Sequence, residues 1–370
     1  MKRLAMKYWV IGLIMMALLC LTACTNSSNV TEQTTKNEVS SEVAEPIPTG
    51  KPYQLEINGL KQTIMVQANN PSNPILLILH GGPGYAMLPV MHKVNPELEN
   101  EFTVVNWDQR GAGLSPETDV SKMTLAQFVD DAHKLTLWLK EKFGQKKIYI
   151  LGHSFGTVLG IELLKQYPDD YYAFVGVGQT VSVAQNEQYA YDWALAQAKR
   201  NDDQDAMKIL GIVGRPTDAG DYPGTVPDEF TNDFKDGFEV TSYYVGLNGG
   251  DMFGLKGTDS VEQMIYNSGV YNEESWGNGW TFSQGIFNDK DVFRFNFKDP
   301  SQGFLDFKVP VYFFMGQHDY DTPVNLFEEY YALITSKKNY IKFEKSAHFP
   351  FLEEPEKFRE QMIQVKKDTY

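Results

Sequence analysis

The sequence predicts an α/β domain with a mostly parallel sheet, helices on both faces and an inserted, mainly helical cap. Strand-like and helix-like patterns alternate over residues 51–178, and the alternation resumes over 299–370. Such alternation is typical of parallel sheets, because each helix crosses back over the sheet. Residues 179–298 break the pattern and are rich in Asp, Gly and aromatic residues. We interpret them as a cap over the carboxyl ends of the strands, where ligands bind in such sheets.

The elements of the two core segments follow from local patterns. Two alternating stretches flank Asn58-Gly59, which is a strong hairpin signal. The continuous apolar run Ile75–Leu79 is typical of a strand covered on both faces. Predicted strands are 53–57, 62–68, 75–79, 102–107, 148–151, 173–177, 309–315 and 340–343, and predicted helices are 124–143, 158–167, 323–334 and 354–365.

The N-terminus is predicted to be an export signal with a lipid attachment site. Basic residues precede an uncharged apolar run, 8–21, which is shorter than the roughly 20 residues of a membrane span. The run ends in Leu-Thr-Ala-Cys, which resembles the lipobox of bacterial lipoproteins, whose cysteine is acylated. We therefore expect a signal peptide (1–23), acylation of Cys24, a flexible tether (24–50) and a protein anchored to the outer side of the cell membrane. The alternative is an ordinary signal peptide with an incidental cysteine.

Charge and cysteine content restrict the function classes. The formal net charge is −15, and removal of residues 1–23 would bring it to −18. Such an acidic surface argues against binding to nucleic acid and is compatible with a cationic or neutral substrate. Cys24 would be the only cysteine of the mature chain, so no internal disulfide is expected. No H-E-x-x-H motif or clustered ligand spacing is present, so no metal or other cofactor is predicted.

Residues 152–156, Gly-His-Ser-Phe-Gly, form a candidate nucleophile elbow. This G-x-S-x-G motif lies between an apolar strand pattern and an apolar helix pattern. In that context a tight turn holds the central serine at the end of the sheet, next to a helix N-terminus. The motif therefore predicts Ser154 as the nucleophile of a serine hydrolase.

A serine nucleophile needs a base, and the expected chain order places that base last. Of the six histidines, only His318 and His348 follow the predicted cap, and only His348 follows the last predicted strand. Because it lies in the loop between that strand and the C-terminal helix, His348 is the predicted base.

The acid that orients the base is expected directly after strand 309–315, where Asp319 and Asp321 are both candidates. Asp319 is preferred, since it lies at the turn before the helix opened by Pro323. Asp321 is interpreted as a helix N-cap type of residue.

An oxyanion hole requires two backbone N–H groups aimed at the developing charge. The residue after the nucleophile, Phe155, is expected to supply one. The loop after strand Ile75–Leu79 reads His-Gly-Gly-Pro-Gly at 80–84, and the Gly82 amide is the predicted second donor.

Three motifs together resemble the proline iminopeptidase (prolyl aminopeptidase) family of α/β-hydrolases. They are 80–84, the segment 107–115 (Trp-Asp-Gln-Arg-Gly-Ala-Gly-Leu-Ser) and 152–156. The resemblance covers about 53–178 and 299–370. It implies an eight-stranded α/β-hydrolase sheet with a helical cap, a Ser–Asp–His triad and the oxyanion donors Gly82 and Phe155. Arg110, within the second motif, is interpreted as a structural, buried-pair residue.

In that family, carboxylates of the cap bind the free α-amine of the substrate, but no motif here selects among the acids of the cap. An aromatic-lined pocket with one carboxylate would suit a cationic amine. The candidate acids are Glu187, Glu229, Glu239, Glu262, Glu273 and Glu274, and the aromatic residues include Tyr189, Trp193, Tyr243, Trp276 and Trp280.

Three functions remain open from the sequence. The first is an aminopeptidase that releases N-terminal, proline-type residues from peptides through an acyl-enzyme. The second is an esterase or lipase with the same triad, and the third is a surface lipoprotein that binds a ligand without turnover. A carboxylate nucleophile, as in dehalogenases and epoxide hydrolases, is disfavoured by the serine at position 154.

Overall fold

The computed structural model describes residues 47–117, 119–231, 233–254, 261–277, 296–299, 302 and 304–370. The predicted signal peptide, Cys24 and residues 24–46 of the predicted tether lie outside these ranges, as does 278–295 of the predicted cap. Among the described helices, none combines the length and the apolar character needed to cross a membrane.

The described residues form one eight-stranded sheet, which confirms the predicted fold class. Its strand order is β1-β2-β4-β3-β5-β6-β7-β8. The second strand is antiparallel to both of its neighbours, and all other adjacent pairs are parallel. The strands are β1 (Pro52–Ile57), β2 (Leu60–Gln67), β3 (Ile75–Leu79), β4 (Thr103–Asp108), β5 (Ile148–His153), β6 (Tyr171–Val177), β7 (Val311–Gly316) and β8 (Lys338–Phe343).

The helices alternate with the strands as predicted. Those of the core are α1 (Val90–Val94), α2 (Leu125–Lys142), α3 (Phe155–Gln166), α8 (Val324–Leu333), α9 (Pro350–Glu353) and α10 (Pro355–Thr369). Those between β6 and β7 are α4 (Val183–Arg200), α5 (Gln204–Val213), α6 (Gly237–Leu247) and α7 (Val261–Asn267).

The sheet is covered on both faces by apolar side chains. Every residue of β3 is buried, and alternate residues of that strand belong to two separate clusters, as the two-residue period of a strand requires. Helices α2 and α3 cover one face, and α10 covers the other. The site-bearing loops therefore project from a rigid platform at the carboxyl ends of β3, β5 and β7.

The residues between β6 and β7 contain a small core of their own. Apolar residues of α4, α5 and α6 form a third cluster, separate from the two on the sheet. The cluster includes Ala194 and Leu210, and neither side chain is exposed. These helices therefore pack against one another around an apolar core of their own.

Two boundaries differ slightly from the sequence prediction. Thr49 bridges to Val66, and the Gly50 amide donates to the Val66 carbonyl at 2.8 Å, so pairing with the sheet begins before residue 51. The helix predicted from Pro323 begins at Val324, because proline, which lacks an amide hydrogen, lies at its N-cap.

Candidate active site

Ser154 lies at the junction of β5 and α3, as the elbow motif predicts. It is the N-cap residue of α3 and has a φ of 53°, in the left-handed region that a non-glycine residue seldom adopts. Its amide donates to the Val177 carbonyl at 2.9 Å, and its carbonyl accepts from the Thr157 amide at 2.8 Å. These bonds to β6 and α3 hold the strained residue in place.

The two glycines of the elbow are required by close backbone approach. A Cβ atom at Gly152 would lie 2.5 Å from the Gly156 carbonyl oxygen. A Cβ at Gly156 would lie 2.0 Å from the Leu79 carbonyl oxygen at the end of β3. The turn can thus pack against the sheet only when both positions lack a side chain.

The His-Gly-Gly-Pro-Gly loop packs directly against the elbow. A Cβ at Gly81 would lie 2.7 Å from the Ser154 Cβ, so the two segments are in close contact. Gly82 has a φ of 108°, which favours glycine. Within the described part of the chain, neither the Gly82 amide nor the Phe155 amide donates a hydrogen bond. Both N–H groups are therefore available to a ligand, which the donors of an oxyanion hole must be.

Asp319 and His348 form a buried hydrogen-bonded pair. The Asp319 Oδ2 lies 2.9 Å from the His348 Nδ1. The Thr322 hydroxyl donates to the same oxygen at 2.8 Å, and the amides of Asp321 and Thr322 donate to Oδ1 at 3.0 and 2.8 Å. The carboxylate is therefore fixed by its own loop in the orientation that selects the Nδ1–H tautomer of the imidazole.

Asp321 contacts the other nitrogen of the same imidazole. Its Oδ2 lies 3.1 Å from the His348 Nε2. The interpretation of Asp321 as a helix-capping residue is wrong: Pro323 occupies the N-cap of α8, and no side chain caps that helix. The two candidate acids thus lie on opposite sides of one histidine ring.

His153 of the elbow contacts the backbone of His348. The His153 Nε2 is 2.9 Å from the His348 carbonyl oxygen, so it donates to that carbonyl. Burial, followed by the charge of His348, holds the pKa of His153 well below its usual range, and the ring is neutral. A Cβ at Gly178 would lie 2.8 Å from the His348 ring, so the end of β6 must also be glycine.

The charges around His348 and its burial have opposite effects on the pKa of the imidazole. Burial alone would lower the pKa of His348, but the carboxylates of Asp319, Asp321 and Asp251 outweigh it and raise the pKa to about 10. Burial, then the charge of Asp321, raises the pKa of Asp251 to about 8. The surrounding carboxylates therefore favour the protonated form of His348.

The segment 250–253 of the cap is hydrogen-bonded to the loops that contain Tyr320 and His348. The Tyr320 amide donates to the Gly250 carbonyl at 2.8 Å, and the His348 amide donates to the Asp251 carbonyl at 2.9 Å. The Glu353 carboxylate accepts the Phe253 amide at 2.5 Å.

Glu353 also accepts hydrogen bonds from the loop that contains His348. Its other carboxylate oxygen accepts the amides of Ala347 and Phe349 at 2.9 and 3.1 Å. One partly buried carboxylate thus orders the backbone on both sides of His348 and attaches it to the cap.

A second part of the cap contacts the loop that follows β3, at residues 85–88. The Tyr85 hydroxyl donates to Glu262 at 2.6 Å, and the indole of Trp276 donates to the Ala86 carbonyl at 3.1 Å. The Leu88 amide donates to the Tyr271 hydroxyl at 3.0 Å. The position of this loop therefore depends on the cap as well as on β3.

Helix α4 brings an acid close to this site. Trp193 of that helix stacks on Tyr320, with ring centroids 4.2 Å apart. Burial, and to a smaller extent the charges of Asp321 and Asp236, raises the pKa of Glu187 to about 8. Tyr222 donates to the Glu187 carboxylate at 2.9 Å. Within the described ranges, no lysine or arginine forms an ion pair with Glu187, Asp251 or Asp321.

Residues 74–355 match the family model described as alpha/beta hydrolase fold. The chain belongs to the α/β-hydrolase family. Among curated relatives, a probable aminopeptidase, YbaC of Bacillus subtilis (strain 168), is 33% identical over 315 residues, which are 82% of this chain and 92% of the relative. A proline iminopeptidase of Heyndrickxia coagulans is 24% identical over 313 residues, which are 82% of this chain and 94% of the relative.

Solved structures agree on the fold of this α/β-hydrolase. A proline iminopeptidase-related protein of Thermus thermophilus superposes with a TM-score of 0.57 at 20% identity, over 85% of this chain and 96% of that one. The proline iminopeptidase of Mycobacterium smegmatis gives 0.56 at 19% identity, over 86% and 98%. The resemblance to proline iminopeptidases inferred from the three motifs is confirmed by the curated relatives together.

The second motif of this α/β-hydrolase is structural, as predicted. The Arg110 guanidinium donates to both carboxylate oxygens of Asp131 on α2, at 2.7 and 3.0 Å, and to Glu117 at 2.5 Å. The Tyr271 hydroxyl donates to Asp108 at 2.7 Å. The Arg110 ion pairs therefore attach the loop after β4 to α2, and the Tyr271–Asp108 bond attaches the end of β4 to the cap.

Sequence reasoning missed several residues that the structure of this α/β-hydrolase brings to the site. Asp251 and Glu353 were not singled out, and Glu187 was one of several equal candidates. The Glu353 position had a local signal, since an acid five residues after the base is close enough to turn back onto its loop. The described residues contain no group of His, Cys, Asp or Glu that could hold a metal ion.

Proposed function

We propose that this α/β-hydrolase is a serine hydrolase with Ser154 as nucleophile, His348 as general base and Asp319 as the orienting acid. The observation that carries this proposal is the 2.9 Å bond between Asp319 and the His348 Nδ1, in a loop that His153 of the strained Ser154 elbow contacts. His348 would take the Ser154 proton as the oxygen attacks the substrate carbonyl, and later donate it to the leaving group. The amides of Gly82 and Phe155 would stabilise the negative charge on the tetrahedral intermediate.

We further propose that the substrate is a peptide with a free N-terminus, and that the enzyme releases an N-terminal, proline-type residue. The named relatives support an aminopeptidase. The acids around the site support it independently, since Glu187, Asp251 and Asp321 are close together without a paired lysine or arginine among the described residues. A substrate ammonium would supply the missing positive charge and keep these carboxylates ionised.

We expect prolyl-naphthylamide to be cleaved with a much higher kcat/KM than its N-acetylated analogue, because acetylation removes the cation. Glu187→Gln should lower kcat/KM for the free-amine substrate by about 10- to 100-fold, mainly through KM, since it removes one charged hydrogen bond. Hydrolysis of a p-nitrophenyl ester should change little. Steady-state kinetics on the three substrates measure these effects.

The matched control is Glu239→Gln, which alters another cap acid that is bound to the Lys235 amide of its own turn. It should leave all three rates unchanged. Equal cleavage of the free and acetylated substrates would contradict the aminopeptidase and favour the esterase. Turnover of neither, without labelling by a fluorophosphonate, would favour the binding lipoprotein.

We also propose that the mature protein is attached to the cell membrane through acylated Cys24 and faces outward. Cys24→Ser should then move the protein from the membrane fraction into the medium, because acylation at that residue would supply the anchor. Cys20→Ser, within the predicted signal peptide, is the control and should stay membrane-bound. Fractionation followed by immunoblotting gives the result, and a Cys24→Ser protein that remains with the membrane contradicts the anchor.

A further inference from the structure

A carboxylate lies beside each of the two ring nitrogens of His348. Asp319 lies 2.9 Å from Nδ1, and Asp321 lies 3.1 Å from Nε2. A carboxylate within ion-pair distance of each ring nitrogen favours the imidazolium form, in which both nitrogens carry a proton. The geometry therefore suits an imidazolium ion between two carboxylates.

A histidine in this state cannot act as the base in acyl transfer. Its Nε2 has to receive the proton of the serine hydroxyl, and in the imidazolium form that nitrogen already carries a proton beside Asp321. The other groups that face the ring do not relieve this pairing. Asp251 of the cap also favours the protonated ring when its own carboxyl is ionised, and His153, whose ring centroid is 4.7 Å away, is buried and neutral.

The two carboxylates differ in how firmly they are held. The Asp319 side chain is 0% exposed and accepts three hydrogen bonds from its own loop besides that of the histidine. The Asp321 side chain is 37% exposed, and among the described residues its carboxylate forms an ion pair only with His348. Asp319 is therefore a fixed part of the site, whereas Asp321 can exchange its partner.

We propose that Asp321 is an electrostatic latch: its carboxylate favours the protonated form of His348 at Nε2 until a cationic substrate amine takes the place of the imidazolium beside it. This inference rests on the proposed aminopeptidase function and deepens it. As the ammonium binds, the Nε2 proton leaves to water, so one positive charge replaces another beside Asp321. The freed Nε2 can then accept the Ser154 proton. The chain thereby couples recognition of a free N-terminus to the appearance of the base.

The latch is tested with Asp321→Asn, which keeps the size of the side chain and removes its charge. A neighbouring carboxylate within 4–6 Å shifts a histidine pKa by about one to three units, so the acid limb of the pH profile for a neutral p-nitrophenyl ester should move to lower pH by at least about one unit. At pH 7 the ester kcat/KM should rise by about 10-fold. The preference for prolyl-naphthylamide over the ester should fall by a similar factor or more.

An NMR titration of the His348 Cε1–H should show the same decrease in pKa without any turnover. His348→Gln identifies the resonance. Asp130→Asn, which removes an exposed carboxylate on α2, is the control and should leave the limb, the titration and the preference unchanged.

An acid limb and a His348 titration that are the same in Asp321→Asn and the wild type overturn the latch. A shifted limb with an unchanged preference for the free amine also overturns it, because the exchange of partners would then be absent. If the wild type cleaves only esters, the proposed aminopeptidase fails, and the His348 titration alone decides whether Asp321 holds the base protonated.

Discussion

Replacing Ser154 with alanine is expected to reduce hydrolysis by about 10⁴- to 10⁶-fold, as loss of a serine nucleophile does in other triad enzymes. The fold should be retained, because the bonds that hold the elbow come from the backbone: the Ser154 amide donates to Val177, and its carbonyl accepts from Thr157. The measurement is kcat on the preferred substrate, with the melting temperature as the check on folding.

Ser121→Ala is the matched control, since Ser121 is exposed and bonds only within its own turn. It should be fully active and fully labelled by a fluorophosphonate, whereas Ser154→Ala should not be labelled. A folded Ser154→Ala protein that hydrolyses its substrate at the wild-type rate would rule out the serine mechanism.

Replacing Asp319 with asparagine is expected to lower kcat by about 10⁴-fold. The Asp319 Oδ1 accepts two backbone amides, so an asparagine would keep its carbonyl there and turn its NH₂ group towards the His348 Nδ1. A donor at that position favours the tautomer protonated at Nε2, which cannot accept the serine proton. Asp321 cannot compensate, because its carboxylate reaches only Nε2.

Asp319→Asn and Asp321→Asn therefore have opposite predicted effects on ester hydrolysis at pH 7. Rates of fluorophosphonate labelling should follow the same order, because labelling requires the same activated serine. A variant Asp319→Asn with a substantial part of the wild-type kcat, together with an inactive Asp321→Asn, would show that the assignment of the acid is reversed.

The core of this α/β-hydrolase could be predicted from its sequence because its signals are local. The apolar run of β3, the glycines around Ser154 and the Asn58-Gly59 turn each specify their structure within a few residues. Chain order then predicts His348 and Asp319 as neighbours, since both lie where strands end at the same edge of a parallel sheet, and the structure brings them together. The motif 80–84 could be placed beside the elbow by the same reasoning.

The remainder of the site depends on long-range packing, for which the sequence has no periodic signal. Glu187 lies on a helix of the cap, and nothing in its neighbourhood distinguishes it from Glu229 or Glu239. Asp321 is two residues from Asp319, yet its contact with Nε2 depends on where the loop of His348 comes to lie, 27 residues later in the chain. Asp251 is brought to the base by a backbone bond between irregular segments.

The bonds between 250–253 and the loops of Tyr320 and His348 restrict how the cap can move during a catalytic cycle. Displacing this segment would break two backbone hydrogen bonds and the bond from the Phe253 amide to Glu353. Because one of those backbone bonds holds the His348 amide, the displacement would also move His348 relative to Ser154. This edge is therefore expected to behave as the stationary side of a hinge. Peptides would enter and released residues would leave at another edge, so that each round of entry and exit leaves the proton-transfer geometry undisturbed.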